Sequence, residues 1–186
     1  MRSIVMYPNK ALRKKVPEVI EVSEVINEVA DLKEVLEASE NGAGLASTQL
    51  SIEKRFFGIK NDKKVEVLIN PQILGVYGQK VYPLIIDKEK KDQDFLEGCL
   101  SFPDLYGTVK RYLKIEACWQ EIEEGKLVDK KKTMNGFEAI VFQHELDHLD
   151  GILFIDHIKR DGGKFYKFEG EKKIEWDVEK VMGDER

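Results

Sequence analysis

Two histidines one helical turn apart, His144 and His148 in His144-Glu145-Leu146-Asp147-His148, constrain this chain more than any other stretch. At positions i and i+4 of a helix their imidazoles lie on one face and can share a cation. Glu145 sits about 100° round the axis, where it can reach a water at that cation without being a ligand. Phe137, Ile140, Val141, His144 and His148 repeat at the helical period, which predicts a helix whose histidine face is also its core face. Thr133 or Asn135 is expected to cap its start and Gly151 to stop it. The fold must therefore wrap around this helix, with the metal held inside the domain. Ordinary core or surface histidines are the plainer alternative, but the whole H-E-x-x-H pattern favours metal.

Two imidazoles leave the site incomplete, because a catalytic centre of this kind takes three protein ligands and keeps one position open. The long-motif metalloproteases place a third histidine at the position occupied here by Phe154. His157 comes three residues too late for that geometry. It follows the apolar run Ile152-Leu153-Phe154-Ile155, which reads as a short strand, so His157 reads as a strand-end or surface residue. Glu169, Glu171, Glu175 and Glu179 belong to a charged tail and read as a solvated face. The remaining candidate is Cys99 in Glu97-Gly98-Cys99-Leu100-Ser101-Phe102-Pro103. There Gly98 permits unusual backbone geometry and Pro103 closes the segment, so a thiolate could be aimed at a metal.

At this point the chain resembles a known family, the peptide deformylases. Three motifs carry the resemblance in the family's order: Gly42-Ala43-Gly44-Leu45-Ala46-Ser47-Thr48-Gln49, Glu97-Gly98-Cys99-Leu100-Ser101 and Gln143-His144-Glu145-Leu146-Asp147-His148. The similarity spans most of residues 3 to 160. It implies that Cys99, His144 and His148 bind one divalent metal ion, with the fourth position left to water or hydroxide. It also implies that Glu145 is the general base and then the proton donor to the leaving amine. Gln49 and the backbone N–H of Leu100 would stabilise the oxyanion. The expected activity is removal of the N-formyl group from the formylmethionine of nascent proteins, with release of formate.

The chemistry is consistent with those roles. Metal coordination brings the pKa of water to about 7 in zinc sites and polarises a carbonyl, and a preplaced oxyanion donor is worth roughly 2.7 to 4 kcal/mol. An uncharged amide such as Gln49 suits that task at any working pH. Gly42, Ala43 and Gly44 would let an extended peptide pair with this segment as an added strand; without the other motifs they would read only as a helix stop and a turn. Ile140 and Val141, one turn before His144, are expected to wall an apolar pocket for the methionine side chain. Thiolate plus imidazole ligands suit Fe2+, Zn2+, Ni2+ or Co2+, and the resemblance favours Fe2+ in the cell.

Arg111 makes a separate argument. From Val109 to Trp119 the odd positions are apolar except Arg111, so a strand would turn it inward. A buried guanidinium needs a carboxylate, and the resemblance implies Glu97. An edge strand whose arginine reaches water fits the pattern equally well. Cys118 falls on the opposite face and is assigned no role. With two cysteines in the chain, no disulfide framework is expected.

The expected fold is an α+β domain of mostly antiparallel strands wrapped around the metal helix. An N-terminal helix is expected at about residues 24 to 40 and a short C-terminal helix through Ile174, Val178 and Val181. Strands are expected at Phe56-Lys60, Val65-Asn70, Ile73-Tyr77, Lys80-Ile86, Thr108-Gln120 and Lys126-Lys132. Residues 1–160 form the expected catalytic domain, with a tail over 161–186 packed on it. The charged run Asp87 to Asp94 reads as a mobile loop or solvated hairpin tip.

Net charge of −5, from 30 basic and 35 acidic groups, argues against broad affinity for nucleic acid. The sequence has no long apolar run and no cationic start followed by an apolar stretch, so a cytoplasmic protein without a membrane role is expected. Some family members dock on the ribosome through a cationic terminal helix. The tail here has six Lys/Arg against eight Asp/Glu, so transient ribosome association is only a secondary expectation. Ser47 and Ala43 depart from the family's usual alanine and isoleucine or valine, and Leu105-Tyr106-Gly107 stands where an arginine is common. These changes bear on peptide preference more than on the reaction. Two rivals remain, a metalloprotease cutting internal bonds and a non-catalytic metal-stabilised binding module.

Overall fold

The computed structural model describes residues 2–61, 64–85 and 93–177. At its centre is helix α2 (Gly136–Leu149), in which every residue from Ala139 to Glu145 is buried. A buried run of that length covers all sides of a helix, so α2 is enclosed rather than lying on a surface with one core face. The exception is Phe137, expected in the core stripe but 55% exposed. Asn135 occupies the cap position without a side-chain cap, and the chain leaves the helix through Asp150 and Gly151, whose φ is +72°.

Two antiparallel sheets surround this helix. The first has the order β1-β2-β3-β8-β9, from β1 (Gly44–Ala46), β2 (Phe56–Asn61), β3 (Lys64–Tyr77), β8 (Lys114–Glu123) and β9 (Lys126–Asn135). Its inner face supplies Phe57, Leu68, Ile115 and Ala117 to a cluster with Ala139, Val141, Phe142 and Leu149 of α2. Phe57 and Phe142 meet edge to face at 5.2 Å, and burying one such ring contributes about 1.5–3 kcal/mol. Helix α1 (Ile26–Ala38) covers part of the same sheet through Leu32 and Leu36, which pack with Phe56, Val65 and Val67.

The second sheet has the order β11-β10-β7-β6, from β6 (Glu97–Cys99), β7 (Phe102–Gly107), β10 (Phe165–Glu169) and β11 (Lys172–Trp176). Helix α3 (Phe154–Asp161) packs on it, with Phe154, Ile155 and Ile158 against Phe102, Leu105 and Phe165. A two-stranded ribbon, β4 (Leu84–Ile85) with β5 (Gln93–Asp94), completes the described strands. The chain is thus α+β with mostly antiparallel strands and, among the described residues, three α-helices, and no described helix is long and apolar enough to cross a membrane.

Several local expectations give way to other structure. Ile152-Ile155 is not a strand, because the Asp156 carboxylate accepts the Leu153 N–H at 2.8 Å and starts α3 one residue later. Ile174 lies in strand β11 rather than in a helix, and Val178 and Val181 fall outside the described residues. The two strands expected around Asn70-Pro71 are one, β3, which passes the proline, a residue with no N–H to donate, through shifts in register against β8. The strand expected from Thr108 begins only at Lys114, and Arg111 instead forms an isolated bridge with Val81. The strand expected over Lys80-Ile86 reduces to that bridge and β4, while residues 86–92 lie outside the described ones.

Candidate metal centre and active site

Cys99 reaches the centre from the end of β6, at the edge of the second sheet, and His144 and His148 reach it from α2. Their ligand atoms all lie within 4.8 Å of one another, and Cys99 Sγ is 3.3 Å from His148 Nε2. This is a thiolate and imidazole donor set converging on a single point, which fits one borderline divalent cation. Position 154 brings no third histidine: Phe154 is buried in α3 with its ring 6.2 Å from that of His144.

One imidazole donor, His144, is held from behind, whereas Nδ1 of His148 is buried with no hydrogen-bond partner among the described residues. Glu97 Oε2 lies 2.9 Å from Nδ1 of His144, so that nitrogen donates and Nε2 is left to face the donor set. The Glu97 carboxylate is itself gripped by Arg111, with Nε at 2.7 Å and Nη2 at 2.9 Å, while Arg111 Nη1 reaches Asp147 Oδ2 at 2.5 Å. Arg111 is 2% exposed, so the edge-strand alternative does not apply. Burial alone would raise the Glu97 carboxyl, but the charge and hydrogen bonds of Arg111, with help from His144, hold it at about 2. Burial also opposes charge on both imidazoles, and it pushes His148 well below the ordinary histidine value. For His144 the Cys99 and Glu97 groups outweigh burial and draw its pKa up. A His148 ring held below the ordinary histidine range is neutral near pH 7, the form in which an imidazole binds a metal.

Glu145 stands beside the donor set, buried, with Oε2 lacking a hydrogen-bond partner among the described residues. Such an orphan buried carboxylate oxygen is a place for a bound water or substrate proton. Burial, only partly countered by His144, raises this group to about 7, suited to taking and returning a proton near neutrality. Gly44 makes room for it, since a Cβ there would lie 2.7 Å from Glu145 Cδ.

Gln49 sits in the short 3-10 turn after β1. Its Oε1 accepts the Ala46 N–H at 2.8 Å, which turns Nε2 toward Ser101 Oγ at 3.1 Å and Cys99 Sγ at 3.5 Å. The start of the chain ties these two motifs together: Val5 N–H donates to the Gln49 carbonyl at 2.8 Å and Tyr7 N–H to that of Ser101 at 3.0 Å. Gly98 has no left-handed φ, contrary to its expected use. It makes space instead, since a Cβ there would lie 2.9 Å from the Tyr106 ring. Ser47 Oγ turns away from the site to donate to the Lys54 carbonyl at 2.5 Å.

A cleft of about 470 Å3 opens onto this centre. Gly42, Ala43, Gly44, Gln49, Cys99, Leu100, Ile140, Val141, His144 and Glu145 all border it, as does Glu97; Arg111 lies behind. Phe95, Tyr106 and Phe137, to which the sequence alone assigns no site role, also line it, and Phe95 and Phe137 meet edge to face at 5.9 Å. An aromatic residue one turn before Ile140 was the available signal for Phe137, but it reads equally as core. Each sheet contributes its last strand to the cleft, β1 from one and β6 from the other.

A cysteine and two histidines converging beside a buried glutamate, at the floor of an apolar cleft, define the metallohydrolase class of site. The sequence model for polypeptide deformylase matches residues 1–163. Similar proteins include the peptide deformylase of Aquifex aeolicus, 37% identical over 86% of this chain and 88% of its own. That of Desulforudis audaxviator is 38% identical over 82% and 90%. The crystal structure of the Thermotoga maritima peptide deformylase superposes with a TM-score of 0.69 at 30% identity, covering 84% of this chain and 97% of that one. The chain belongs to the polypeptide deformylase family. Its activity is accordingly the hydrolytic removal of the N-formyl group from newly synthesised peptides.

Proposed function

We propose that this hydrolysis runs at the Cys99, His144 and His148 centre, with Glu145 as proton carrier and with Gln49 and the Leu100 N–H as oxyanion donors. The observation that carries this reading is the convergence of the three donors within 4.8 Å at the floor of a cleft that Glu145 and Gln49 also border. A divalent cation bound there supplies positive charge that brings the pKa of water near neutrality and polarises a carbonyl.

The remaining work belongs to the chain. Glu145 takes the proton of the attacking water and returns it to the amine that leaves with the peptide, so formate and a free N-terminus result. The Gln49 amide, fixed by the Ala46 N–H with its Nε2 beside Cys99 and Ser101, donates to the oxygen where charge develops. Ile140 and Val141 wall the methionine pocket. Ala43 and Gly44 on one side and Gly98 on the other offer main chain to an extended peptide. Glu97 and Arg111 hold His144 in place. Iron(II) is the metal of this reading in the cell, with zinc, nickel or cobalt able to occupy the same donors. The working compartment is the cytoplasm, where formylated chains emerge, and transient contact with the ribosome belongs to the same reading.

The test is formate release from an N-formylmethionyl tripeptide by protein purified without oxygen and loaded with iron(II) or nickel(II), beside an unformylated peptide as a cleavage control. Formate without internal cleavage is expected. Internal cleavage would favour a protease, and folded, metallated protein that releases no formate would favour a binding module. Metal analysis of anaerobically prepared native protein checks the iron assignment.

A further inference from the structure

His157 is the one histidine outside the donor set. It is 4% exposed on α3, where the sequence predicts a strand end or surface. Its Nε2 lies 2.7 Å from Asp147 Oδ2, and its Nδ1 lies 2.7 Å from Arg160 Nη2. A guanidinium has donors only, so Nδ1 must present its lone pair and Nε2 must carry the proton given to Asp147. Arg160 is held in this pose by Asp161, with Nε to Oδ1 at 2.8 Å and Nη2 to Oδ2 at 2.9 Å.

The Asp147 oxygen that accepts from His157 also accepts from Arg111, and Arg111 grips Glu97, which accepts from His144. A continuous line of hydrogen bonds therefore runs from the surface arginine of α3, through His157, to the ring of a metal donor on α2. Asp147 lies on α2 between His144 and His148 in sequence, so whatever fixes its carboxylate fixes the place where Arg111 presents Glu97.

We propose that His157 is a positioning residue of the metal centre, with Asp147 and Arg160 between them selecting which of its ring nitrogens carries the proton, so that α3 sets the pose of the Asp147–Arg111–Glu97–His144 line. The proposal rests on Cys99, His144 and His148 being the metal ligands. A residue that merely packed α3 against α2 would need shape and not an N–H, and the two roles therefore separate by substitution. Partners of metal ligands commonly contribute 10- to 100-fold to metal affinity or activity. His157 acts through three intermediate residues, which points to the low end, about tenfold.

The experiment compares wild type, His157→Phe, His157→Gln and Arg160→Met, each loaded with nickel(II) or zinc(II). It reads metal loss to a chelator, kcat and KM on an N-formylmethionyl tripeptide, and thermal midpoint. His157→Phe is expected to release metal about tenfold faster and to lose about tenfold in kcat at unchanged KM, whereas His157→Gln, whose amide N–H reaches Asp147, recovers most of both. Folded His157→Phe with wild-type metal loss and kcat would overturn the proposal.

Should that variant fail to fold, ¹⁵N-histidine spectra of metal-free wild type decide the matter. A proton on Nε2 of His157, with an unprotonated Nδ1 whose resonance moves in Arg160→Met as it loses its donor, supports the selection, and a proton on Nδ1 in wild type overturns it. Arg160 is more than half exposed, so its replacement leaves the core intact. Wild type that binds no metal overturns the assignment of the centre itself, whereas metal held equally by every folded variant overturns only the role of His157.

Discussion

Glu97 accepts the Nδ1 proton of His144 at 2.9 Å while the same carboxylate is clamped by Arg111 on both oxygens. The clamp fixes both the tautomer and the tilt of one metal donor, and it puts a fully buried arginine at the base of the site. Arg111→Met would leave Glu97 and Asp147 as buried carboxylates without their cation. Breaking such a cluster from one side costs about 3–5 kcal/mol. A fall of that size in the free energy of unfolding by urea, with loss of metal, is expected, and an unchanged value would mean the cluster contributes little.

The pH response of the metal-free protein follows from the same carboxylate. Glu97 titrates at about 2 in the folded chain against an ordinary 4.5. A depressed folded pKa gives stability that is fully present above 4.5 and lost as pH falls from there toward 2. The contribution is about 3 kcal/mol, since a tenfold change in proton affinity corresponds to roughly 1.4 kcal/mol. Urea unfolding of metal-stripped wild type and Glu97→Gln at neutral pH and at successively lower pH should show the gap between them closing on acidification. A gap that stays constant would refute the assignment.

Glu145→Gln keeps the shape of the side chain and removes its ability to carry a proton. General acid–base groups contribute roughly 10²–10⁴-fold, so kcat should fall by that order while metal content and thermal midpoint hold. Turnover at the wild-type rate would assign the proton transfer to another group.

Gln49→Leu removes the amide that Ala46 orients. Loss of one preplaced oxyanion donor costs about 2.7–4 kcal/mol, so kcat should fall by about two to three orders of magnitude with a smaller change in KM. A rise in KM alone would make Gln49 a binding residue instead.

What the sequence made legible was what short-range rules carry. The H-E-x-x-H spacing placed two donors on one helical turn, and alternation from Val109 to Trp119 singled out Arg111, although its burial comes at an isolated bridge to Val81 and not in a strand. The resemblance supplied Cys99 and Glu97 as their partners, and the structure brings all of these together. What it hid were choices that an apolar pattern leaves open. Ile152 to Ile155 is apolar in a way that suits strand or helix, and Asp156 capping Leu153 decided the matter. That single choice carried His157 from an expected surface position into the core, opposite Asp147, ten residues earlier in the chain. Phe137 matched the helical stripe by period, yet its side of α2 meets the cleft mouth instead of a sheet, so it is exposed.

The cleft lies where both sheets stop, at β1 and at β6. A sheet that stops leaves amide and carbonyl groups along its rim, ordinarily an invitation to unwanted aggregation. Here that rim borders the cleft, and a protein destined for deformylation arrives with a different sequence every time. The peptide backbone is the one thing all those clients have in common. An enzyme that gripped them by it, as proposed above, would serve an entire proteome from a single cleft, reserving its side-chain discrimination for the methionine at the front.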